Sequence, residues 1–143
     1  MSINIIIAAF FGTVAFAILY DITSRYCFVC GLCGLMGWII YSLLTPPMGE
    51  LVAVFIATIG IALASRFFAV WQKCPEIVFL VSGIFPIVPG AGIYWTAYYL
   101  VAGQMTQAAD SGIGALKICL MMVLGIAIVH ELPQKLFSII RRK

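Results

Sequence analysis

A chain of 143 residues in which 64% are apolar, 9% are charged and the mean hydropathy is +1.17 is not an ordinary soluble domain, a class in which about a quarter of residues carry charge. A hydrocarbon core of roughly 30 Å takes about 20 apolar residues per helical crossing, so this length allows about five or six crossings and excludes an added soluble catalytic domain. The net charge of +3 has meaning through where the charges lie, which sets nucleic-acid binding aside as a reading of the positive balance.

A charge at the bilayer centre costs at least ~2.5 kcal/mol, so the uncharged stretches are the predicted spans. The first covers about 3–20. No basic segment precedes it and its A-x-A triplet, Ala15-Phe16-Ala17, lies inside the apolar run, so a cleaved signal peptide is not expected. Asp21, Arg25 and Tyr26 form a polar turn before a second span, 27–44, which Pro46-Pro47 is expected to end. The third span, 51–71, carries Arg66 inside a helix, either snorkelling to the headgroups or facing a polar interior where it compensates a substrate carboxylate. Lys73, Cys74 and Pro75 close it.

Residues 77–109 hold 33 uncharged positions, too many for one span and too few for two with a turn. Their middle reads Phe85-Pro86-Ile87-Val88-Pro89-Gly90-Ala91-Gly92, which must break a helix. The segment is either one discontinuous crossing, about 77–102, or a re-entrant hairpin. A last span, 113–131, opens with Lys117 and leads into a basic tail, 132–143. With five crossings, Arg25, Arg66, Lys73, Lys135, Arg141, Arg142 and Lys143 share one side and Lys117 takes the other, whereas a re-entrant fourth segment divides the same residues four against four. The positive-inside rule selects five crossings, with the amino terminus outside and the carboxyl terminus in the cytoplasm. Leu132, Leu136, Ile139 and Ile140 fall on one helical face of the tail, either as a short amphipathic helix on an anionic leaflet or as a stop-transfer anchor. The expected fold is an all-α integral membrane protein of five transmembrane helices, the fourth broken at Pro-x-x-Pro-Gly, with a short amphipathic C-terminal helix.

A helix break leaves backbone groups that lipid cannot satisfy, and half-helix ends at mid-depth are the usual place for anionic groups and ions. A second half-helix starting near Gly90 to Ile93 would turn its amide-rich end to a carboxylate, with Tyr94, Tyr98 and Tyr99 lining the same cavity. The alternative is a proline kink packed against neighbouring helices. Cys27, Cys30 and Cys33 lie on one stripe, yet in an apolar helix without acidic or His neighbours they read as small hydrophobes, and Gly31, Gly34 and Gly37 as a close helix–helix contact. His130-Glu131 at a span end is conceivable as a proton relay and is more simply an interfacial pair. Glu50 and Asp110 read as solvated caps, and Tyr20, Trp38, Tyr41 and Trp71 as aromatic belts. No nucleophile–base pair and no metal set appears, so neither enzyme activity, a metal nor a cofactor is expected.

Lys73-Cys74-Pro75 and Ile84 to Tyr94, together with Phe16 to Tyr20, the Arg25 turn and Gly37-Trp38, resemble the threonine/serine exporter family, and specifically the small membrane subunit of its split form. In that family a basic residue and a proline precede a helix that is followed by P-x-x-P-G and a nearby tyrosine, so Lys73, Pro75, Pro86, Pro89, Gly90 and Tyr94 are the positions carried over. The resemblance implies a subunit exporting small amino acids or related small carboxylates by proton-coupled exchange in the bacterial cytoplasmic (inner) membrane. It also implies an oligomer with a larger membrane subunit that supplies the first half of the single-chain members. It supplies no acidic coupling residue in this chain. The positions expected to bind substrate are Pro86, Pro89, Gly90, Gly92, Tyr94, Tyr98, Arg66 and Lys73. A helix end holds any carboxylate, so threonine, serine and a dicarboxylate such as succinate fit alike. The competing reading is a non-transporting membrane assembly or scaffold module.

Overall fold

The computed structural model describes residues 3–132, and every regular element among them is helical. The elements are α1 (Ile3–Leu19), α2 (Ser24–Met48), α3 (Glu50–Gln72), α4 (Ile77–Ile84), a 3-10 turn (Phe85–Ile87), α5 (Gly90–Val101) and α6 (Met105–Glu131). The amphipathic helix expected in the tail falls outside the described residues. Three helices, α2, α3 and α6, are long and apolar enough to cross a membrane, or four spans if the bent pair α4–α5 is one; α1 is apolar but shorter.

Helix boundaries follow backbone chemistry more closely than charge. Helix α1 closes at Asp21, which takes a left-handed φ of 54° and lets Ile22 N–H reach Ala17 O at 3.0 Å. Helix α2 does not stop before its prolines. It continues through Pro46 and Pro47 to Met48, where Gly49, at φ 83°, donates its N–H to Thr45 O. Proline φ is already helical, and in a last turn the missing N–H groups remove few bonds, so two prolines there are tolerated where they would break a helix interior. Similarly, α6 begins at Met105 and carries Asp110 within it, because a charge sets the limit of a span in lipid and does not end a helix.

Helices α2 and α3 form the central antiparallel hairpin, with α1 against α2, α4 lying across both, and α6 against α3. Small residues make these contacts close. A Cβ on Gly31 would run into Phe10 and Val14 of α1, one on Gly34 into Thr13, and one on Gly37 into Ile61 of α3. Gly83 of α4 fits over Ile61 and Cys33, and Gly125 of α6 over Phe55 O and Thr58. This is how lipid-embedded helices associate, since apolar contact with lipid offers no hydrophobic gain over contact with protein. Cys30 and Cys33 are fully buried free thiols inside this packing.

One end of the bundle collects the charges. Tyr26, at the start of α2, meets Phe79 of α4 with ring centroids 6.0 Å apart, and the Cys30 thiol donates to Val78 O at 3.6 Å. Arg66, near the end of α3, reaches the last carbonyls of α6. The end of α6 therefore lies beside the start of α4, so α4 and α5 together make a net passage along the bundle and α6 returns.

Candidate functional site

The chain leaves helical geometry where two prolines withhold donors. Pro86 cannot donate to Ser82 O, which instead takes the N–H of Phe85. Pro89 cannot donate to Phe85 O, and Val88 N–H fills that place at 3.3 Å, closing the 3-10 turn. Val88 is then extended, at φ −56° and ψ 133°, and Pro89 follows at φ −75° and ψ 56°. Helix α5 starts at Gly90, whose N–H turns back to Val88 O at 2.7 Å, and the two limbs are bent by 59°. Ala91 and Gly92 stand in the first turn of α5, where amides have no carbonyl four residues back within the helix.

The bend faces a cleft of about 200 Å3 lined by Phe85 and Pro86, by Ile5, Ala8, Ala9, Gly12 and Thr13 of α1, and by Trp38. At about 30 Å3 of liquid volume per water it corresponds to roughly six or seven waters, smaller than pockets for drug-sized ligands. Phe85 is pinned by stacking on Phe16 at a centroid distance of 3.3 Å, and Ile87 is buried in the core. The Thr13 hydroxyl donates to Ala9 O at 2.7 Å. Trp38 sits ten residues before the end of α2 and lines this cleft.

The expected site residues separate into four places. Pro86 and Pro89 form the interruption, Pro89 buried and Gly90 open to the surface. Gly92 faces α6, where a Cβ would lie 3.1 Å from the Ala115 Cβ, and Gly112 of α6 faces Thr96 in the same seam. Tyr94 and Tyr98 stack with centroids 6.5 Å apart on another face of α5, 61% and 52% exposed.

Arg66 and Lys73 lie at the other end of α4. Arg66 is 6% exposed; its Nε donates to Glu76 Oε2 at 3.3 Å, Nη1 to Leu132 O at 2.9 Å and Nη2 to His130 O at 3.2 Å. A guanidinium of α3 thus caps the carboxyl end of α6, where a cation meets the negative end of the helix dipole. Lys73 closes α3 in the left-handed region, at φ 54° and ψ 43°, with its N–H on Ala69 O. From Glu76 to Pro86 the chain climbs ten residues, roughly 15 Å at helical rise, which separates Arg66 from the break.

Glu76 is the residue that sequence reasoning passed over. It precedes α4 as its cap, it neutralises Arg66, and its Oε1 lies 3.5 Å from His130 Nε2. The available signal was a pair of opposite charges, Arg66 and Glu76, on the two sides of a proline-closed turn.

A sequence model of the family described as "Threonine/Serine exporter, ThrE" matches residues 5–132. No curated protein and no solved structure matches the chain.

Proposed function

Because the chain belongs to the threonine/serine exporter family, and is therefore a component of a threonine/serine exporter, we propose that it is the small membrane subunit of a two-component exporter whose broken fourth segment receives the substrate carboxylate. The observation that carries this reading is the interruption over 85–89, which starts α5 afresh at Gly90 and leaves the amides of its first turn without helical partners, while Phe85 and Pro86 border an apolar cleft. Half-helix amino ends of this kind hold anionic groups in transporters, and irregular backbone at membrane depth is tolerated only within protein or along a water-filled cavity. In this reading Pro86 and Pro89 make the interruption, and the amides it leaves open at Ala91 and Gly92, beside Gly90, meet the substrate carboxylate, with Tyr94 and Tyr98 facing the larger partner subunit. Arg66 and Lys73 anchor the end of the bundle.

The chain crosses five times, α1 as the short span accommodated by local thinning of the bilayer. Its amino terminus is outside and its carboxyl terminus is in the cytoplasm of a bacterial inner membrane. The gathering of Arg25, Arg66 and Lys73 with the end of α6 at one end of the bundle supports that orientation. Export is proton-coupled exchange, and the substrates are threonine, serine or related small carboxylates.

One observation favours the rival reading of a non-transporting scaffold: Gly92 is accounted for by its close approach to Ala115. Export assays in cells with and without the chain separate the two. Loss of threonine and serine efflux on deletion, restored by the intact chain, is the expected result. Unchanged efflux with the partner subunit still assembled in the membrane favours the scaffold.

A further inference from the structure

His130 is the chain's single histidine, and its ring is placed by two contacts. Nδ1 lies 3.1 Å from Ile126 O. A carbonyl oxygen only accepts, so Nδ1 carries the hydrogen, and in the neutral ring Nε2 then presents a lone pair. That nitrogen lies 3.5 Å from Glu76 Oε1, a buried oxygen that receives no hydrogen bond among the described residues. Its sister, Oε2, is already held by Arg66. Two acceptors face each other across a partly buried contact, an arrangement that is repulsive when empty and attractive with one proton between them.

We propose that Glu76 and His130 form a binding site for a single proton that latches the end of α6 to the start of α4. The proton rests on Nε2, giving an imidazolium–carboxylate pair, or on Oε1, giving a carboxyl that donates to Nε2; no other group changes charge. It enters from the open side, since the His130 side chain is 47% exposed and that of Glu76 is 24% exposed. Arg66 spreads the effect, because the same guanidinium holds Glu76 and the His130 and Leu132 carbonyls. Losing the proton therefore loosens α3, α4 and α6 together, and α4 leads directly into the break.

Among the described residues, the other titratable or charged groups at this end are Asp21 in the turn before α2, Arg25 and Tyr26 on α2, Lys73 and Cys74 between α3 and α4, and Glu131 beside His130. Among the described residues, the ion pairs of Glu76 are those with Arg66 and His130. The latched arrangement binds one proton more than the loosened one, so it is favoured at low pH and lost as pH rises.

The proton site deepens the exporter reading by giving its coupling ion a place, and its test does not depend on transport. Full-length chain, assembled with its partner subunit in lipid nanodiscs, is labelled on its one histidine and followed by ring nitrogen resonances and by amide hydrogen exchange over 126–132, corrected for intrinsic base catalysis. The neutral ring is expected as the Nδ1–H tautomer. Exchange over 126–132 should rise about tenfold per pH unit through the transition, the response of one linked proton. In His130→Gln, whose amide donates to Oε1 at every pH, exchange stays slow and flat; in His130→Leu it is fast and flat. Glu76→Gln should also abolish the pH response, and the histidine variants keep the test open if that protein does not fold. A neutral ring with its hydrogen on Nε2, exchange that ignores pH in the unsubstituted chain, or an unaltered response in His130→Gln overturns the proposal. Absent export with an intact pH response would instead contradict the exporter reading alone.

Discussion

At the scale of the residue, Arg66 shows how a membrane chain accommodates a charge it cannot expose to lipid. Its carboxylate partner is ten positions on, and its remaining donors satisfy carbonyls that α6 would leave open. Arg66→Ala strips Glu76 of its counter-charge and uncaps α6, a loss of about 3–5 kcal/mol for breaking a buried pair. Arg66→Lys keeps the charge but lacks the fork, so it should recover part of that stability. Denaturation of the purified chain in detergent, read by circular dichroism, orders the three proteins; equal stability of Ala and native forms would remove the capping role. Lys73 poses a different question, because the resemblance assigns it a functional place and its backbone assigns it a helix cap. An L-residue in the left-handed region pays roughly 1–2 kcal/mol that glycine avoids, offset by glycine's greater unfolded entropy. Lys73→Gly should therefore leave stability unchanged or raise it by about 1 kcal/mol or less. If efflux also survives, the lysine charge is dispensable. Arg66 was legible as an anomaly, a cation deep in a predicted helix. The meeting of Arg66 with Glu76 and His130 was not legible, because it joins positions 66 and 130 through tertiary packing that no local pattern encodes.

At the scale of the element, Pro-rich sequences gave opposite outcomes for one physical reason. Pro86 and Pro89 fall where about three further helical turns follow, and each missing N–H must be replaced by a 3-10 or local bond. Pro46 and Pro47 fall in a final turn and change little. Proline marks a place where bonding must be rearranged, and its distance from the helix end decides whether the axis turns. The stripe of Gly31, Gly34 and Gly37 was readable as a packing seam, but which helix each glycine meets was not: Gly31 and Gly34 serve α1, and Gly37 serves α3. Gly92 belongs to a second such seam. Gly92→Leu should overpack α5 against α6, costing about 1–3 kcal/mol and separating the two helices. Crosslinking between cysteines introduced at Thr96 and Gly112 should form readily in the otherwise native chain and weaken severalfold in the variant. Undiminished crosslinking would mean that the seam has slack.

At the scale of the whole molecule, composition alone placed the chain in a bilayer. Arg25, Arg66 and Lys73 gather with the end of α6 at one end of the bundle. The size of the cleft and the part played in it by Trp38 and Thr13 were hidden, since they arise where α1, α2 and the bend converge. A reporter fused after Lys143 should be active in the cytoplasm and one fused before Met1 outside it; a periplasmic carboxyl terminus would make the fourth segment re-entrant.

The account depends most on the main-chain polarity exposed between α4 and α5, and efflux by the Pro89→Ala, Gly90→Leu double variant measures it directly. These substitutions restore an N–H and a strong helix former, so α4 and α5 should merge into a straighter rod. With membrane insertion and partner assembly confirmed in the same cells, the predicted result is loss of threonine and serine efflux to the level of the deletion strain. Efflux equal to that of the unsubstituted chain would contradict the account and leave the bend as a packing feature.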